Sequence, residues 1–216
     1  MKATQFKINA LDLKGEVIRD PSNENQILVK VYGSNDWEKL KKFLFTTYRL
    51  ELKKAISPPN PTPLGTYPTR EAAEENISKS SENLPAVEIL PYTERGGETS
   101  NFVIVEKSAI INGEDIRNAQ ANPVPGSEEF FNIYFVLKPE GAIKFGDWTG
   151  KNIGNYLAIV LDKKVVSVAF IKSQITDSGQ IDGRFSEEQA ENIAISLKSG
   201  YIPATMKVIE ETAFGN

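Results

Sequence analysis

The hydrophobic pattern at the start of the chain predicts strands around one amphipathic helix. β-like runs lie around Ile8 and Val17, residues 26–32 alternate between apolar and polar positions, and residues 46–52 are rich in β-formers. Between the last two segments, apolar residues recur at the i, i+3, i+7 spacing of a helix, which a capping box opens at Asn35. These elements make half of a split β-α-β pattern, which lacks at least one strand.

The hydrophobic pattern of residues 85–203 predicts a second module that contains both strands and helices. One helix starts at Pro139, and another follows the capping box of Ser186 and Gln189 and ends at Gly200. The predicted strands cover 101–106, 132–137 and 180–185, and a hairpin joins 156–161 to 165–171. The module therefore has the elements for a core of its own.

A proline-rich stretch separates the two modules. Residues 57–68 hold five of the 12 prolines in the chain, which excludes a helix or central strand and predicts a stiff linker or surface loop. The tail, 204–211, has the pattern of a strand, and the simplest fold pairs it with a strand of residues 6–54. We therefore predict an α+β fold in which a head, residues 85–203, is inserted into a base of residues 1–84 and 204–216, with 57–84 as a proline-rich linker or insertion.

Two absent residue types limit the chemistry of the chain. Its 216 residues include no His and no Cys, which excludes His-dependent hydrolases, thiol nucleophiles, zinc fingers and disulfides. Paired carboxylates remain, but adjacent acids on one element point apart. Asp177 and Asp182 flank a glycine at a spacing that matches no EF-hand. We expect no catalytic residue, no metal site and no cofactor.

The charge distribution is uneven but mild. The chain has a net charge of −4, whereas residues 1–54 carry 11 basic and 7 acidic groups. No basic stripe is interleaved with aromatics, so we expect no nucleic-acid partner. The basic segment suits either a solvated surface or a position near anionic lipid. The longest apolar runs are strand-sized, so no membrane span is expected within this sequence.

The second module carries motifs that are distinctive in order and spacing. They are the run from Gly154 to Asp162, the run from Gln180 to Phe185, and the run from Leu197 to Gly200 with Pro203. Together they resemble the SecD family of bacterial protein-export membrane proteins, specifically their first large periplasmic domain. The resemblance covers 102–215 well and 6–54 more weakly. Lys163 and Ala169 depart from the family, which usually has Gly and Pro there.

The resemblance implies a role in protein export rather than catalysis. Such a domain has a ferredoxin-like base and a mobile head that holds the emerging, unfolded preprotein. It lies on the periplasmic face of the inner membrane and is anchored by segments that this sequence lacks. Its partners are SecF and the SecYEG channel, and proton flow through the membrane segments drives the movement.

Two sets of residues are candidates for this role. The chain would cross between base and head near Leu84 and Pro85, and again near Gly200, Tyr201, Ile202 and Pro203, so these residues are the expected hinge. Phe170 and Ile171 are candidate contacts for an unfolded chain, because gripping unrelated sequences favours apolar surface and backbone pairing. The alternative is that both are core residues.

Two other functions compete with this hypothesis. An extracytoplasmic module that binds a small ligand or carbohydrate could use Trp37, Trp148 and tyrosines to stack on sugars. A glycosidase would need two carboxyl groups about 5 to 9.5 Å apart in a cleft.

Overall fold

The computed structural model describes residues 1–34, 36–46, 48–56, 64–80, 84–93, 100–200 and 208–212. It divides into two compact units, one from Met1–Thr47 with Ser199–Asn216 and one from Tyr48–Lys198. The described residues between Tyr48 and Leu84, predicted to belong to the base, therefore lie in the second unit.

The first unit combines two helices with a two-stranded antiparallel sheet. Its elements are α1 (Lys2–Ala10), β1 (Lys14–Arg19), β2 (Ile27–Tyr32) and α2 (Trp37–Phe45). In the hairpin, Val17 lies opposite Val29. The alternation along β2 is as predicted, and its apolar positions Ile27, Val29 and Val31 are less exposed than their neighbours.

The run around Ile8, for which a strand was predicted, is part of helix α1. The helix buries Thr4, Lys7 and Ile8, whose i, i+3, i+4 spacing places all three on one face. The predicted strand was wrong because this helical spacing includes a threonine and a lysine, which do not register as an apolar stripe.

The strand predicted for 204–211 is not found in the part of the tail that the structure describes. Residues 208–211 are not in a strand, and 204–207 lie outside the described residues. Ile209 is 70% exposed, so this segment has no buried face. The Glu211 carboxylate contacts Lys41 of α2, with 3.0 Å between Oε2 and Nζ. The sheet of the first unit, over the described residues, thus has two strands.

The second unit contains the remaining elements. They are β3 (Leu50–Ala55), α3 (Arg70–Lys79), β4 (Val87–Thr93), β5 (Ser100–Glu106), β6 (Ile111–Asn112), β7 (Ile116–Pro123), β8 (Phe131–Leu137), α4 (Pro139–Lys151), β9 (Tyr156–Leu161), β10 (Lys164–Phe170), β11 (Ser178–Phe185) and α5 (Glu187–Ser199). The hairpin, the helices predicted from Pro139 and after Ser186, and the strands predicted for 101–106, 132–137 and 180–185 are present, whereas β4, β6 and β7 were not predicted.

Five strands of the second unit form a closed ring. The sheet order is β5-β4-β10-β9-β3-β6, and β5 also pairs with β3 where Ala55 lies opposite Val105. One cluster of side chains from all five strands packs together: Ala55, Leu90, Tyr92, Val103, Val105, Ala158, Val160 and Val165. Because side chains alternate along a strand, Glu51 and Lys53 share the face of β3 that carries Ala55.

The opposite face of β3 and β9 contributes to the main core. This core joins Leu52 and Ile159 to residues of α4, α5 and the antiparallel sheet β11-β8-β7. A smaller cluster under α3 contains Ile56, Ala73, Ile89 and Ile104.

Strand β3 was predicted to belong to the base, and in the structure it pairs along its whole length with β9 of the second unit. The physical reason is burial: five of its six residues are buried, including Glu51 and Lys53. A strand that is buried on both faces needs other side chains to pack against each face. The ring interior covers one face of β3 and the main core covers the other, whereas the two-stranded hairpin of the first unit offers no such packing.

Candidate binding surface

Phe170 and Ile171 are adjacent in sequence but differ in exposure. Ile171 is 0% exposed and belongs to the main core. Its amide donates to the carbonyl of Asn155, and its carbonyl accepts from Gly154, both at 2.9 Å. Ile171 is therefore a core residue, which the sequence left open, and it offers no surface to a partner.

Phe170 is the exposed member of the pair. It ends β10 with 44% of its surface exposed, and its ring meets that of Tyr156 edge-on with centroids 5.2 Å apart. Ile153, just after α4, is 56% exposed. Its neighbour Gly154 bonds to the residue that follows Phe170. Phe170 and Ile153 thus give this end of the β9–β10 hairpin an apolar surface.

The expected hinge residues are only partly described. Leu84 is half-buried and packs against the cluster under α3, and Pro85 is exposed. Gly200 has a φ of +83° immediately after α5, the left-handed conformation that glycine adopts at a helix end. Tyr201, Ile202 and Pro203 lie outside the described residues. A hinge role for any of them stays a prediction.

A groove of about 500 Å³ lies along one side of the second unit, and we call it the β10–β11 groove. Its lining includes Tyr48, Leu161, Lys164, Val166, Arg184 and Phe185. Burial and, secondly, the charge of nearby Asp162 raise the pKa of the Tyr48 hydroxyl. Asp162 itself accepts a hydrogen bond from the amide of Arg49 at 2.9 Å.

The backbone is irregular where β11 enters this groove. The ladder between β11 and β8 runs from Ser178 to Ile181 and resumes only at Phe185. Arg184, within the gap, has a φ of +48°, and its guanidinium lies 5.4 Å from the centroid of the Phe130 ring. Arg184 belongs to the motif from Gln180 to Phe185 that supported the family resemblance, but that motif predicts neither the bulge nor the groove.

One end of the ring interior holds a cluster of charged groups. The ammonium of Lys53, which is 1% exposed, donates to Glu88 and to the carbonyl of Lys107 at 2.7 Å. Lys163, at the tip of the β9–β10 hairpin, also donates to Glu88 at 3.1 Å. Glu51 Oε2 accepts no hydrogen bond among the described residues and lies 3.7 Å from Lys163 Nζ.

The electrostatics of this cluster centre on Glu88. Desolvation by itself would raise the pKa of Glu88, but hydrogen bonds from Lys53 and Lys163 outweigh it and hold the pKa below the ordinary value. A second groove, of about 540 Å³, lies beside the cluster, and its lining combines apolar residues with the charged Arg70, Glu88, Lys107 and Lys163. Two of its cations already have partners, since Lys163 pairs with Glu88 and Arg70 donates to the carbonyl of Ile89 at 2.8 Å.

The described residues contain no group of three or more acidic side chains that could hold a metal ion. The Asp182 carboxylate accepts from Gln180 at 2.7 Å, and Asp177 accepts from Ser178 at 3.2 Å. Neither Trp37 nor Trp148 lines either of the two grooves described above; Trp148 packs against the main core. Over the described residues, no helix has the length and apolarity needed to cross a membrane.

These features define a mixed α/β domain of two units, with open grooves and an apolar surface on the larger one. The family model "SecDF, P1 head subdomain" matches residues 87–204. That is more than half of the sequence, and the chain belongs to the SecD family, in its first periplasmic domain.

Curated relatives agree with this assignment. The chain is 31% identical over 211 residues to the protein translocase subunit SecD of Koribacter versatilis, and 36% identical over 190 residues to that of Aquifex aeolicus. These alignments cover 97% and 88% of the chain but 37% and 34% of the relatives. The chain thus spans about a third of the length of these relatives, which are protein translocase subunits.

Two solved structures have the same fold. One, of the membrane component SecDF that enhances protein export, superposes with a TM-score of 0.69 at 24% identity, over 99% of this chain and 90% of that one. The other, SecDF in a super-membrane-facing form, gives a TM-score of 0.66 at 26% identity, over 97% of this chain and 27% of that one.

Proposed function

We propose that this chain is the part of a SecD subunit that binds the emerging, unfolded preprotein on the periplasmic face of the inner membrane. In this role it assists Sec-dependent export driven by the proton-motive force, together with SecF and the SecYEG channel. The observation that carries the proposal is the head-subdomain match over residues 87–204. The binding role is non-enzymatic and needs no cofactor.

The surface of the second unit supports a binding role. An unfolded chain offers apolar side chains and unpaired backbone groups, so a site that accepts many sequences has to offer apolar surface. Phe170 and Ile153 are exposed at one end of the β9–β10 hairpin, and the β10–β11 groove has apolar residues among its lining, such as Leu161 and Val166.

The division of labour between the two units is a further part of the proposal. Residues 85–203 act as the head, a range that nearly coincides with the matched head subdomain, and the first unit acts as a ferredoxin-like base. The chain passes from one unit to the other at residues 47–48 and 198–199. The segment from Gly200 to Pro203 follows the second crossing and would carry the movement of the head, whereas Leu84 and Pro85 lie within the second unit. Because these 216 residues contain no cysteine, a cysteine pair introduced into them meets no other thiol within this domain. A disulfide that locks the units should abolish stimulation of export by the full-length protein; undiminished export would contradict a moving head.

Site-specific crosslinking to a stalled preprotein tests the binding role. A photoreactive amino acid replaces Phe170 in the full-length subunit, within membranes that contain the Sec machinery. The matched control replaces Tyr32, an aromatic residue of the first unit that is 60% exposed. We expect crosslinks from position 170 that exceed those from position 32 and that disappear when the preprotein is released. Equal crosslinking at both positions would contradict binding by the head.

A further inference from the structure

The β10–β11 groove combines an apolar floor with a cationic rim. Leu161 and Ile193 are buried at its floor, and Val166 and Phe185 are half-buried beside them. Lys164 and Arg184 are exposed at the rim. Asp162, the acidic residue among those that line the groove, already accepts a hydrogen bond from the Arg49 amide. The groove therefore presents a surplus of positive charge beside apolar surface.

The bulge in β11 is a second and independent feature of the groove. Residues 182–184 have no partner in the ladder with β8, and Arg184 adopts a left-handed backbone that only glycine adopts without strain. A side chain at Gly183 would also meet the Phe185 ring, because an added Cβ would lie 2.4 Å from it. Bulges and strained residues of this kind occur preferentially at binding sites, where they re-aim side chains. Here the bulge directs Arg184 and Phe185 to the same groove.

We propose that the β10–β11 groove binds an extended polypeptide segment that carries apolar side chains beside an acidic one. The inference rests on the proposed function, because it names the site and the sequence preference through which an unfolded chain would be held. The volume of about 500 Å³ lies within the range of roughly 300 to 1,000 Å³ typical of ligand sites. The apolar side chains lie on the floor, and the carboxylate lies between Lys164 and Arg184.

The lining favours a polypeptide over a carbohydrate. A sugar needs several free polar groups around it, but the Gln189 side chain in this groove accepts from the amide of Ser186 at 3.1 Å. The Asp162 carboxylate already accepts a hydrogen bond from the main-chain amide of Arg49. Arginine and aromatic residues, by contrast, contribute most of the binding free energy at many protein interfaces.

Peptide binding to the 216-residue chain measures the preference directly. The probe is a fluorescent 12-residue peptide that alternates leucine and serine around one central glutamate, and its affinity is read by anisotropy. The double variant Lys164→Ala/Arg184→Gly removes both cations, and glycine accepts the φ of +48° at position 184 without strain. We expect binding about 10-fold weaker, as two exposed charge contacts are lost. The matched control Lys144→Ala, at an exposed position on α4, should bind as the parent chain does.

A second peptide separates charge recognition from a folding defect. When lysine replaces the central glutamate, the parent chain should bind more weakly than it binds the first peptide. The double variant should then lose this distinction between the two peptides, whereas a partly unfolded variant would lose affinity for both. Far-ultraviolet circular dichroism checks that the variant is folded. An oligosaccharide that displaces the acidic peptide competitively would overturn the proposal in favour of a sugar site.

Failure of this inference is distinguishable from failure of the proposed function. The same assay is repeated with a permanently unfolded probe, reduced and carboxymethylated α-lactalbumin. If the parent chain does not bind this probe, the proposed function fails. The other outcome is that the parent chain binds both the acidic peptide and α-lactalbumin, while the affinities of the double variant differ from those of the parent chain by less than 2-fold. Unfolded chains then bind elsewhere, and the groove assignment is wrong.

Discussion

The ammonium group of Lys7 donates a hydrogen bond to the main-chain carbonyl of Phe43 at 3.2 Å, in the last turn of α2. The same ammonium donates to the carbonyls of Leu44, at 3.4 Å, and Thr46. A residue of α1 thus satisfies carbonyls that the end of α2 leaves without helical partners. Lys7 is 0% exposed, so the first unit holds a cation in its interior.

Because Lys7 is buried, the free energy of unfolding of the first unit should change with pH in the alkaline range. Desolvation lowers the pKa of Lys7 from 10.5 to about 8 in the folded chain. Between these values the unfolded chain binds the extra proton, so the free energy of unfolding should rise as pH increases from about 8 to 10. Urea unfolding followed by fluorescence measures it. Each unit has one tryptophan, so Trp148→Phe leaves Trp37 as the reporter of this unit.

The control for this pH dependence is Lys7→Met, which keeps the length of the side chain and removes its charge. It should flatten the rise in the free energy of unfolding between pH 8 and 10. A rise of equal size in the variant would assign the effect to other groups.

Removing the carboxylate of Glu88 should strongly destabilise the ring. Glu88→Ala leaves the ammonium of Lys53 buried without its closest carboxylate, a change that costs about 3–5 kcal/mol in comparable buried pairs. The matched control is Glu75→Ala in α3, which breaks the exposed ion pair with Lys79 and should cost no more than about 0.5 kcal/mol. Urea unfolding in a Trp37→Phe background reports on the second unit through Trp148. If both variants lose equally little free energy of unfolding, leaving the buried Lys53 without Glu88 has little effect on stability.

Gly179 is packed against the ring of Phe135, and any side chain there should disrupt the main core. A Cβ at Gly179 would lie 2.6 Å from Cζ of Phe135, which is 2% exposed. Gly179→Ala should therefore destabilise the second unit by about 1–3 kcal/mol, as overpacking does. At Gly113 an added Cβ meets nothing within 4 Å, so Gly113→Ala is the control and should be close to neutral. Thermal unfolding of the two variants compares them, and a stable Gly179→Ala would show that Phe135 can move aside.

The different exposure of Phe170 and Ile171 separates stability from binding. Ile171→Ala creates a cavity in the main core and should cost about 2–5 kcal/mol. Phe170→Ala removes a ring that is 44% exposed and should cost less, while it weakens crosslinking or binding of unfolded chains. Chemical unfolding and a binding assay on both variants check this. Unchanged binding in a folded Phe170→Ala variant would exclude that ring from the contact surface.

Local sequence signals predicted several elements of the second unit correctly. The capping box before α5 is present, since Gln189 accepts from the Ser186 amide at 3.1 Å and Ser186 accepts from the Gln189 amide at 3.3 Å. The β9–β10 hairpin was also predicted, although Asp162 and Lys163 fill a turn that requires positive φ at both residues. These elements were predictable because caps, turns and short apolar runs act within a few residues of each other.

Other features depended on contacts between distant residues. The sequence near β3 does not show whether its partner lies in the base or is β9, about 100 residues later. β9 is the partner because pairing with it allows both faces of β3 to be buried. The motif from Gln180 to Phe185 was visible in the sequence as a family feature, but the groove beside it requires α5 and β10 to pack next to it.

From residue types and local spacing alone it was possible to exclude histidine and cysteine chemistry, to predict a mixed fold of helices and strands and the capping box of α5, and to recognise the family resemblance. Each of these is written in residue type or in local spacing. The burial of Lys7 and Lys53, the core position of Ile171 beside the exposed Phe170, and the groove shared by Arg184 and Tyr48 became visible only in the folded chain. The physical reason is that burial and charge pairing are set by which strands close the ring and which helices cover it, and these contacts join residues far apart in the chain.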